Sequence, residues 1–512
     1  MENIKYDVVI IGSGLGGLMS GFILSREGLK VCILEKNRQL GGNLQIFSRD
    51  KIIFDTGIHY IGGLDEGQNL NTYFKYFGLM DKLKLKRMDM DGFDHITFKG
   101  DATVYKHAQG YDNFKRILAE QFPDETENIN KYCDKIIEIC NFFPLYRLNE
   151  NNSEELVGNE YLSIDTKAYI ESITSNIKLQ NVLAGTNPLY AGEADKTPLY
   201  VHALVVNSYI ESSWKCIDGG GQIAKHLAKS IRDMGGIIYN YSEVCKFNFD
   251  ETKAINAELT NGKKIEGNYF ISNCDISKTL DMIEPGRIRQ AYRTRINSIN
   301  NSISTFIIYL VLKENSMKYF NNNIYHYHDE DVWAGINYTQ EEWPASFAVF
   351  PQTSSKNGEY TDSLIVMAYM NYEDVKKWES SKNIIPNLEE NRGEEYEAFK
   401  ERKSQQLIDA IEERIPGIKE NIKSYYSSTP LTFRDYIGTR DGTIYGLAKD
   451  YREPLKTFIT PKTKVPNLFL TGQNLNMHGV LGVTVGAVVT CSDLLGRKDL
   501  ILQIKKYVEE NK

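Results

Sequence analysis

Residues 6–17 read Tyr6-Asp7-Val8-Val9-Ile10-Ile11-Gly12-Ser13-Gly14-Leu15-Gly16-Gly17, an apolar run that ends in a G-x-G-x-x-G pattern at Gly12, Gly14 and Gly17. An unbroken apolar run of this length fits a strand covered on both faces of a parallel sheet. Residues 15–26 then read as a helix stopped by Gly28, and residues 30–34 as a second buried strand. Together these make a βαβ start. In such a unit the first glycine allows the tight turn and the second lets a pyrophosphate reach the backbone. The third brings helix and strand close, and free helix N–H groups face the anion. Glu35 follows the second strand, where a carboxylate accepts from ribose hydroxyls and repels a 2′-phosphate. A dinucleotide site is expected.

Working outward, residues 45–49 and 51–55 read as two short strands around a tight Arg49-Asp50 turn, and a helix begins near Asn69. Residues 71–213 read as mainly helical, with a polar surface connection at 149–155. Gly219-Gly220-Gly221 precedes an amphipathic helix at 222–234, and strands are expected at 237–249, 254–259 and 264–272. Beyond residue 295, strands at 304–312 and 363–370 mix with a charged helix at 394–414, closed by Pro416-Gly417. A last strand at 467–471 and a helix at 484–495 end the pattern.

The nature of the dinucleotide follows from further glycines. Gly41-Gly42 and Phe54-Asp55-Thr56-Gly57 have no evident use in a nicotinamide dehydrogenase, whereas a longer cofactor needs a longer trail of close backbone approaches. Leu470-Thr471-Gly472-Gln473-Asn474 leaves a strand, and Gly479, Gly482 and Gly486 lead into a helix whose positive end suits an electron-rich flavin. The cofactor is read as FAD. No second G-x-G-x-x-G marks a nicotinamide site, so the redox partner is left open.

These segments resemble the FAD-dependent phytoene desaturase, carotenoid isomerase and retinol saturase family, within the wider amine-oxidase-like flavoproteins. The resemblance spans the chain. It is carried by the glycine motif, Glu35 with Gly41-Gly42, Asp55-Thr56-Gly57-Ile58-His59-Tyr60, the Gly219 triad, Ser272-Asn273, and Thr429-Pro430 through Tyr445-Gly446. The Asp55 to Tyr60 segment and the triad are most similar to the retinol saturase branch. The fold class implied is α/β: a discontinuous Rossmann-like FAD-binding domain over 1–70, 214–294 and 431–512, with a mixed α+β substrate or cap domain over 71–213 and 295–430.

The resemblance implies that Gly12, Gly14 and Gly17 hold the pyrophosphate, Glu35 the adenosine ribose, and Val244 the adenine through its backbone. Lys36, Gly41, Gly42 and Gly57 would lie along the cofactor, and Gly472, Gln473, Gly482 and Val483 near its ribityl chain and ring. The wider family places an acid after the glycine at 472, and here Gln473-Asn474 stands instead.

Three proton-transfer candidates emerge. His59 follows the turn that should approach the cofactor, His478 sits in the glycine-rich turn before the last helix, and Tyr445 stands beside Gly446. His326 and His328 share a strand face but lack further ligands at metal spacing, so no metal is expected.

The remaining expectations concern partners and place. The chain has 512 residues, 41% hydrophobic and 25% charged, as in soluble folded proteins, and 60 basic against 68 acidic residues give a net charge of −8. Nucleic acid is therefore not an expected partner. Seven scattered cysteines suit a reducing, cytoplasmic location, and any membrane contact is expected to be peripheral. The expected reaction is hydride transfer between flavin N5 and a carbon–carbon bond of an apolar polyene or isoprenoid-like lipid, with saturation favoured. A desaturase, a redox-neutral cis-trans isomerase and a prenyl-lipid-binding chaperone are the alternatives.

Overall fold

The opening apolar run forms β1 (Tyr6–Ile11), followed by α1 (Leu15–Arg26) and β2 (Val31–Leu34). The computed structural model describes residues 5–149, 159–356, 358–382, 392–475 and 477–511. A hairpin of β3 (Ile46–Arg49) and β4 (Ile52–Asp55) turns at Asp50 and Lys51, one residue later than expected, with both residues left-handed. β5 (Ile61–Gly62), α2 (Asn69–Tyr76), β6 (Leu85–Arg87), β7 (Asp94–Phe98) and β8 (Tyr105–His107) follow. Helices α3 (Tyr111–Gln121), α4 (Thr126–Phe142), α5 (Thr166–Ile173), α6 (Ile177–Leu183) and α7 (Leu199–Glu211) lead to β9 (Ser213–Cys216).

Next come α8 (Gly221–Asp233), β10 (Ile237–Tyr239), β11 (Val244–Phe249), β12 (Ala254–Leu259), β13 (Lys264–Ser272), α9 (Ile276–Asp281) and α10 (Gln290–Asn297). The chain continues through β14 (Ser304–Leu312), β15 (Asn323–Tyr327), β16 (Ser346–Pro351), β17 (Ser363–Met370), α11 (Glu394–Arg414), α12 (Ile418–Asn421) and β18 (Ile422–Ser428). It closes with α13 (Pro430–Tyr436), β19 (Leu468–Leu470), α14 (Gly479–Leu495) and α15 (Leu500–Glu510).

The first sheet places β10, β2, β1, β13 and β19 side by side, all parallel, so its strands come from the beginning, middle and end of the chain. α1 is buried almost all round, which explains its lack of a polar face; it packs against α14 and α8 as well as the sheet. Parallel sheets of this kind bind ligands beyond the carboxyl ends of their strands. Here those ends deliver Gly12, Glu35, Asn273 and Thr471 to one edge.

The second sheet runs β18-β14-β17-β16-β15-β7-β8 and is antiparallel except between β15 and β7. β14 is buried along its whole length because both faces are covered. Ile307, Tyr309 and Val311 join the core shared with α3, α4 and α7, while Phe306, Ile308 and Leu310 join the one under α11. A small third sheet, β5-β9-β6, links the two regions.

Residues 71–213 are mainly helical, as expected, but also hold β7 and β8, which extend the second sheet; their Asp94, His95 and His107 hide the apolar pattern of a strand. The structure corrects two expectations. The strand expected at 237–249 is two strands, broken where Tyr241 turns at φ 51° and Ser242 N donates to the carbonyl of Glu35. The helix expected at 484–495 is α14 and starts at Gly479, so Gly482 lies in its first turn and Val483 just after it, and α15, which follows, lies outside the expected pattern. Apart from Asn149, the polar connection read at 149–155 is largely outside the described residues. No single described helix is long and apolar enough to cross a membrane.

Candidate active site

The glycine turn after β1 has no room for side chains. Gly12 turns at φ 92°, and a Cβ on Gly17 would overlap the carbonyl oxygen of Gly12. A Cβ on Gly14 would stand 2.7 Å from Asn273 Nδ2, and one on Gly42 would stand 3.1 Å from the Gly14 Cα. Glu35 is buried and clamps this turn: Oε2 accepts from Ser13 N at 2.9 Å and Ser13 Oγ at 2.6 Å, and Oε1 accepts from Asn37 N at 2.8 Å. Oε2 is filled by the two Ser13 donors, and Oε1 still carries a lone pair for a further donor. Lys36 Nζ donates to the Asp435 carbonyl at 2.7 Å; burial, then the neighbouring Lys278, holds its pKa below the usual lysine range.

From this cradle a cavity of about 400 Å³ runs to the second sheet. Gly12, Gly14, Glu35, Lys36, Gly41, Gly42, Gly57, His59, Val244, Tyr445, Gly472, Gln473 and Val483 all line it. Gly17 lies behind the turn, and Gly482 and His478 face a second chamber of about 170 Å³ instead. Leu189, Tyr209, Gly479 and Val480 form the wall shared by the two spaces. The charged side chains along the main cavity, Glu35, Lys36, Glu243, Asp275 and Lys278, all come from the neighbourhood of the first sheet. The second sheet supplies only Thr, Ser, Ala, Met, Phe and Tyr.

Asn474 accepts from Leu447 N at 3.2 Å and donates to Asp275 at 3.3 Å, so it braces the turn, and both it and Gln473 line the cavity. Thr471 Oγ1 is buried without a partner among the described residues. Rooms without Cβ atoms at Gly14 and Gly42, and the unanswered hydroxyl of Thr471, suit a long dinucleotide threaded through this cavity.

His59 presents its carbon edge to the cavity and stacks on Phe350, with ring centroids 4.5 Å apart and planes 16° from parallel. Both its ring nitrogens are enclosed and without partners among the described residues. Burial, helped by the charge of Lys215, pushes its pKa down to about 3. His478 packs its ring 4.5 Å from that of Tyr445, and burial, then Lys449, lowers its pKa to about 3. The Tyr445 phenol is shifted upward by burial. At neutral pH neither imidazole is a cation, so neither offers the imidazolium proton that His chemistry suggests from sequence. His326 Nδ1 pairs with Thr97 Oγ1 at 3.0 Å, and its ring packs edge-on against His328.

An unfolded histidine takes its proton near pH 6.5, whereas folded His59 resists protonation down to about 3. The stability it contributes is full above pH 6.5 and is lost as the pH falls towards 3. Denaturant midpoints should therefore drop through this window, and less steeply in His59→Phe. Identical slopes in the two proteins would contradict the assignment.

Sequence reasoning missed a buried polar group beside His59. Tyr60 Oη donates to Asp94 Oδ2 at 2.8 Å and lies 2.7 Å from Tyr325 Oη, while Asn323 Nδ2 donates to Asp94 Oδ1 at 2.8 Å. Tyr60 and Tyr325 line the cavity and Asp94 stands behind them. Tyr60 directly follows His59 in the motif and could have been noticed; Asp94 and Tyr325 sit on separate strands and carry no local signal.

Comparisons with known proteins agree with this geometry. A family model described as an NAD(P)-binding Rossmann-like domain matches residues 10–77. All-trans-retinol 13,14-reductase of Macaca fascicularis is 25% identical over 558 residues, covering 99% of this chain and 89% of that protein. Chloroplastic prolycopene isomerase of Daucus carota is 25% identical over 510 residues, covering 95% and 79% respectively. Among solved structures, cyclohexylamine oxidase from Brevibacterium oxydans covers 99% of this chain and 100% of its own, at 12% identity and a TM-score of 0.62.

The fold is the one shared with the amine-oxidase-like oxidoreductases, and the comparisons support an oxidoreductase whose architecture suggests a flavin cofactor. Within that class the chain's homologues are the retinol reductases and carotenoid isomerases, the family its motifs resemble.

Proposed function

We propose that this protein is an FAD-dependent oxidoreductase that reduces a carbon–carbon double bond of an apolar polyene. The observation that carries the reading is the charge distribution of one continuous cavity, with ionic groups confined to the cradle end and an aromatic, uncharged wall at the other. A polyene offers no charge to pair and a long rigid apolar surface to bury, at roughly 25 cal/mol per Å² of area removed from water. The second chamber, lined by residues such as Leu145, Tyr200, Leu204 and Val485, would extend that apolar surface beyond the shared wall. Relatives named as a retinol reductase and a prolycopene isomerase support the same substrate class.

Gly12 and Gly14 would hold the pyrophosphate, Glu35 the ribose, Val244 the adenine, and Gly472, Gln473 and Val483 the flavin end. Bound there, the flavin supplies two-electron hydride chemistry. The chain's own contribution is to orient the substrate against the aromatic wall, exclude water and provide a proton. The first turn of α14 adds a positive dipole beside the cofactor end.

The test is anaerobic. Flavin reduced in the purified holoprotein should be reoxidised by a conjugated polyene such as a retinoid or carotenoid, and the product should gain two hydrogens. An unchanged product mass with altered geometry would favour the isomerase reading instead. No reoxidation and no isomerisation with any polyene would end both.

A further inference from the structure

We propose that Tyr325 is the proton donor of this reaction, supplied through Tyr60 by Asp94. The inference rests on the polyene-reductase reading and names the second half of its chemistry. Saturating a double bond adds a hydride to one carbon, which a bound reduced flavin would supply, and a proton to its neighbour. That proton must come from a hydroxyl, carboxyl or cation at the cavity wall.

His59 and His478 are uncharged near neutrality and hold no spare proton there. The hydroxyl chain does. Tyr325 Oη has Tyr60 Oη, at 2.7 Å, as its hydrogen-bond partner, and Tyr60 in turn reaches Asp94 at 2.8 Å. Each phenol carries one hydrogen, so the state of Asp94 fixes the direction of the whole chain. When Asp94 is ionised, Tyr60 donates to it and Tyr325 donates to Tyr60, leaving no hydrogen for the cavity. When Asp94 is protonated, it donates to Tyr60, Tyr60 donates to Tyr325, and the Tyr325 hydrogen becomes the free end at the wall. Transfer of that hydrogen to the substrate carbon forms one C–H bond and breaks one O–H bond. Tyr60 then refills Tyr325, and Asp94 refills Tyr60, ending as the carboxylate.

The surroundings suit a group that changes state near neutrality. Burial raises the Asp94 pKa from 3.8 to about 7, opposed by its hydrogen bonds and by Lys215. Lys215 on β9 is itself buried, donates to the Pro351 carbonyl at 3.0 Å, and is lowered by burial to about 7, with Lys86 and Asp89 beyond it. From β8, His107 faces Asp94 in register but is held neutral, with burial taking it down to about 4. Tyr327 and Tyr209 complete the shell as neutral phenols.

The test has two arms. In the holoprotein, infrared spectroscopy should find two buried carboxylic acids, Asp55 and Asp94, that lose their protons as pH rises through about 7; the Asp94 band should be absent in Asp94→Asn and retained in Tyr325→Phe. In single-turnover reduction of a polyene, Tyr325→Phe and Tyr60→Phe should each slow the step by on the order of 10²-fold. Asp94→Asn should also abolish the decline of the wild-type rate above neutrality. Visible absorbance per chain separates a folding loss from lost proton delivery.

The absence of any titrating acid band removed by Asp94→Asn would overturn the proposal. So would tyrosine variants that keep their flavin and react within roughly threefold of the wild-type rate. Should the wild-type protein reduce no polyene, the substrate reading falls on its own and the infrared arm still decides the proton chain.

Discussion

Gly17→Ala is expected to purify without bound flavin and to be destabilised by about 3 kcal/mol or more. The added Cβ would overlap the carbonyl oxygen of Gly12, and that oxygen has nowhere to go. Gly12 is held at φ 92° and its N–H donates to the Leu34 carbonyl at 2.8 Å, which ties the turn to β2. Asn273 closes the other side, 3.4 Å from the same Cβ. Relief would require α1 to move away from the sheet, but α14 and α8 hold it in place. Gly28→Ala is the contrast: it also has positive φ but no atom within 4 Å of its Cβ, so strain of about 1–2 kcal/mol is all it should show. Denaturant unfolding together with flavin absorbance reads both variants. A Gly17→Ala protein with full colour and an unchanged midpoint would defeat the account.

Glu35→Ala should lose about 3 kcal/mol or more, because the buried Ser13 N–H, Ser13 hydroxyl and Asn37 N–H lose their acceptor together. Water has little access, since Glu35 is only 5% exposed. Glu35→Gln separates clamp from cofactor contact. Its amide oxygen can keep the Ser13 bonds, while its NH₂ meets the Asn37 N–H as a second donor and offers a ribose hydroxyl a different partner. The expected result is a folded protein that releases flavin on dilution, read by the fluorescence of the freed flavin. Retention of flavin as tight as in the wild type would show that Glu35 serves the fold alone.

Much of this molecule was legible from residue order because its signals are local. The β1–α1–β2 unit, the hairpin after residue 45 and the charged helix at 394–414 each carry their period and their stops within a few residues. Failures occurred where tertiary context decides. β7 reads as polar because Asp94 is buried against Tyr60 and Asn323, partners 34 and 229 residues away. α14 begins early because Gly482 serves close packing rather than breaking a helix: a Cβ there would stand 2.6 Å from Met477 Cβ. The histidines were legible as residues near the cavity but not as neutral ones, since burial is a property of the folded chain.

The parallel sheet joins β1, β13 and β19, whose residues leave the ribosome at the start, middle and end of synthesis. A chain that has made only its glycine turn has an apolar helix without cover, because α8 and α14, which pack on α1, come later in the sequence. The sheet and the cover of α1 are therefore complete only when all three segments are present, and chains cut before β19 should be cleared by proteolysis rather than accumulate as partly folded forms.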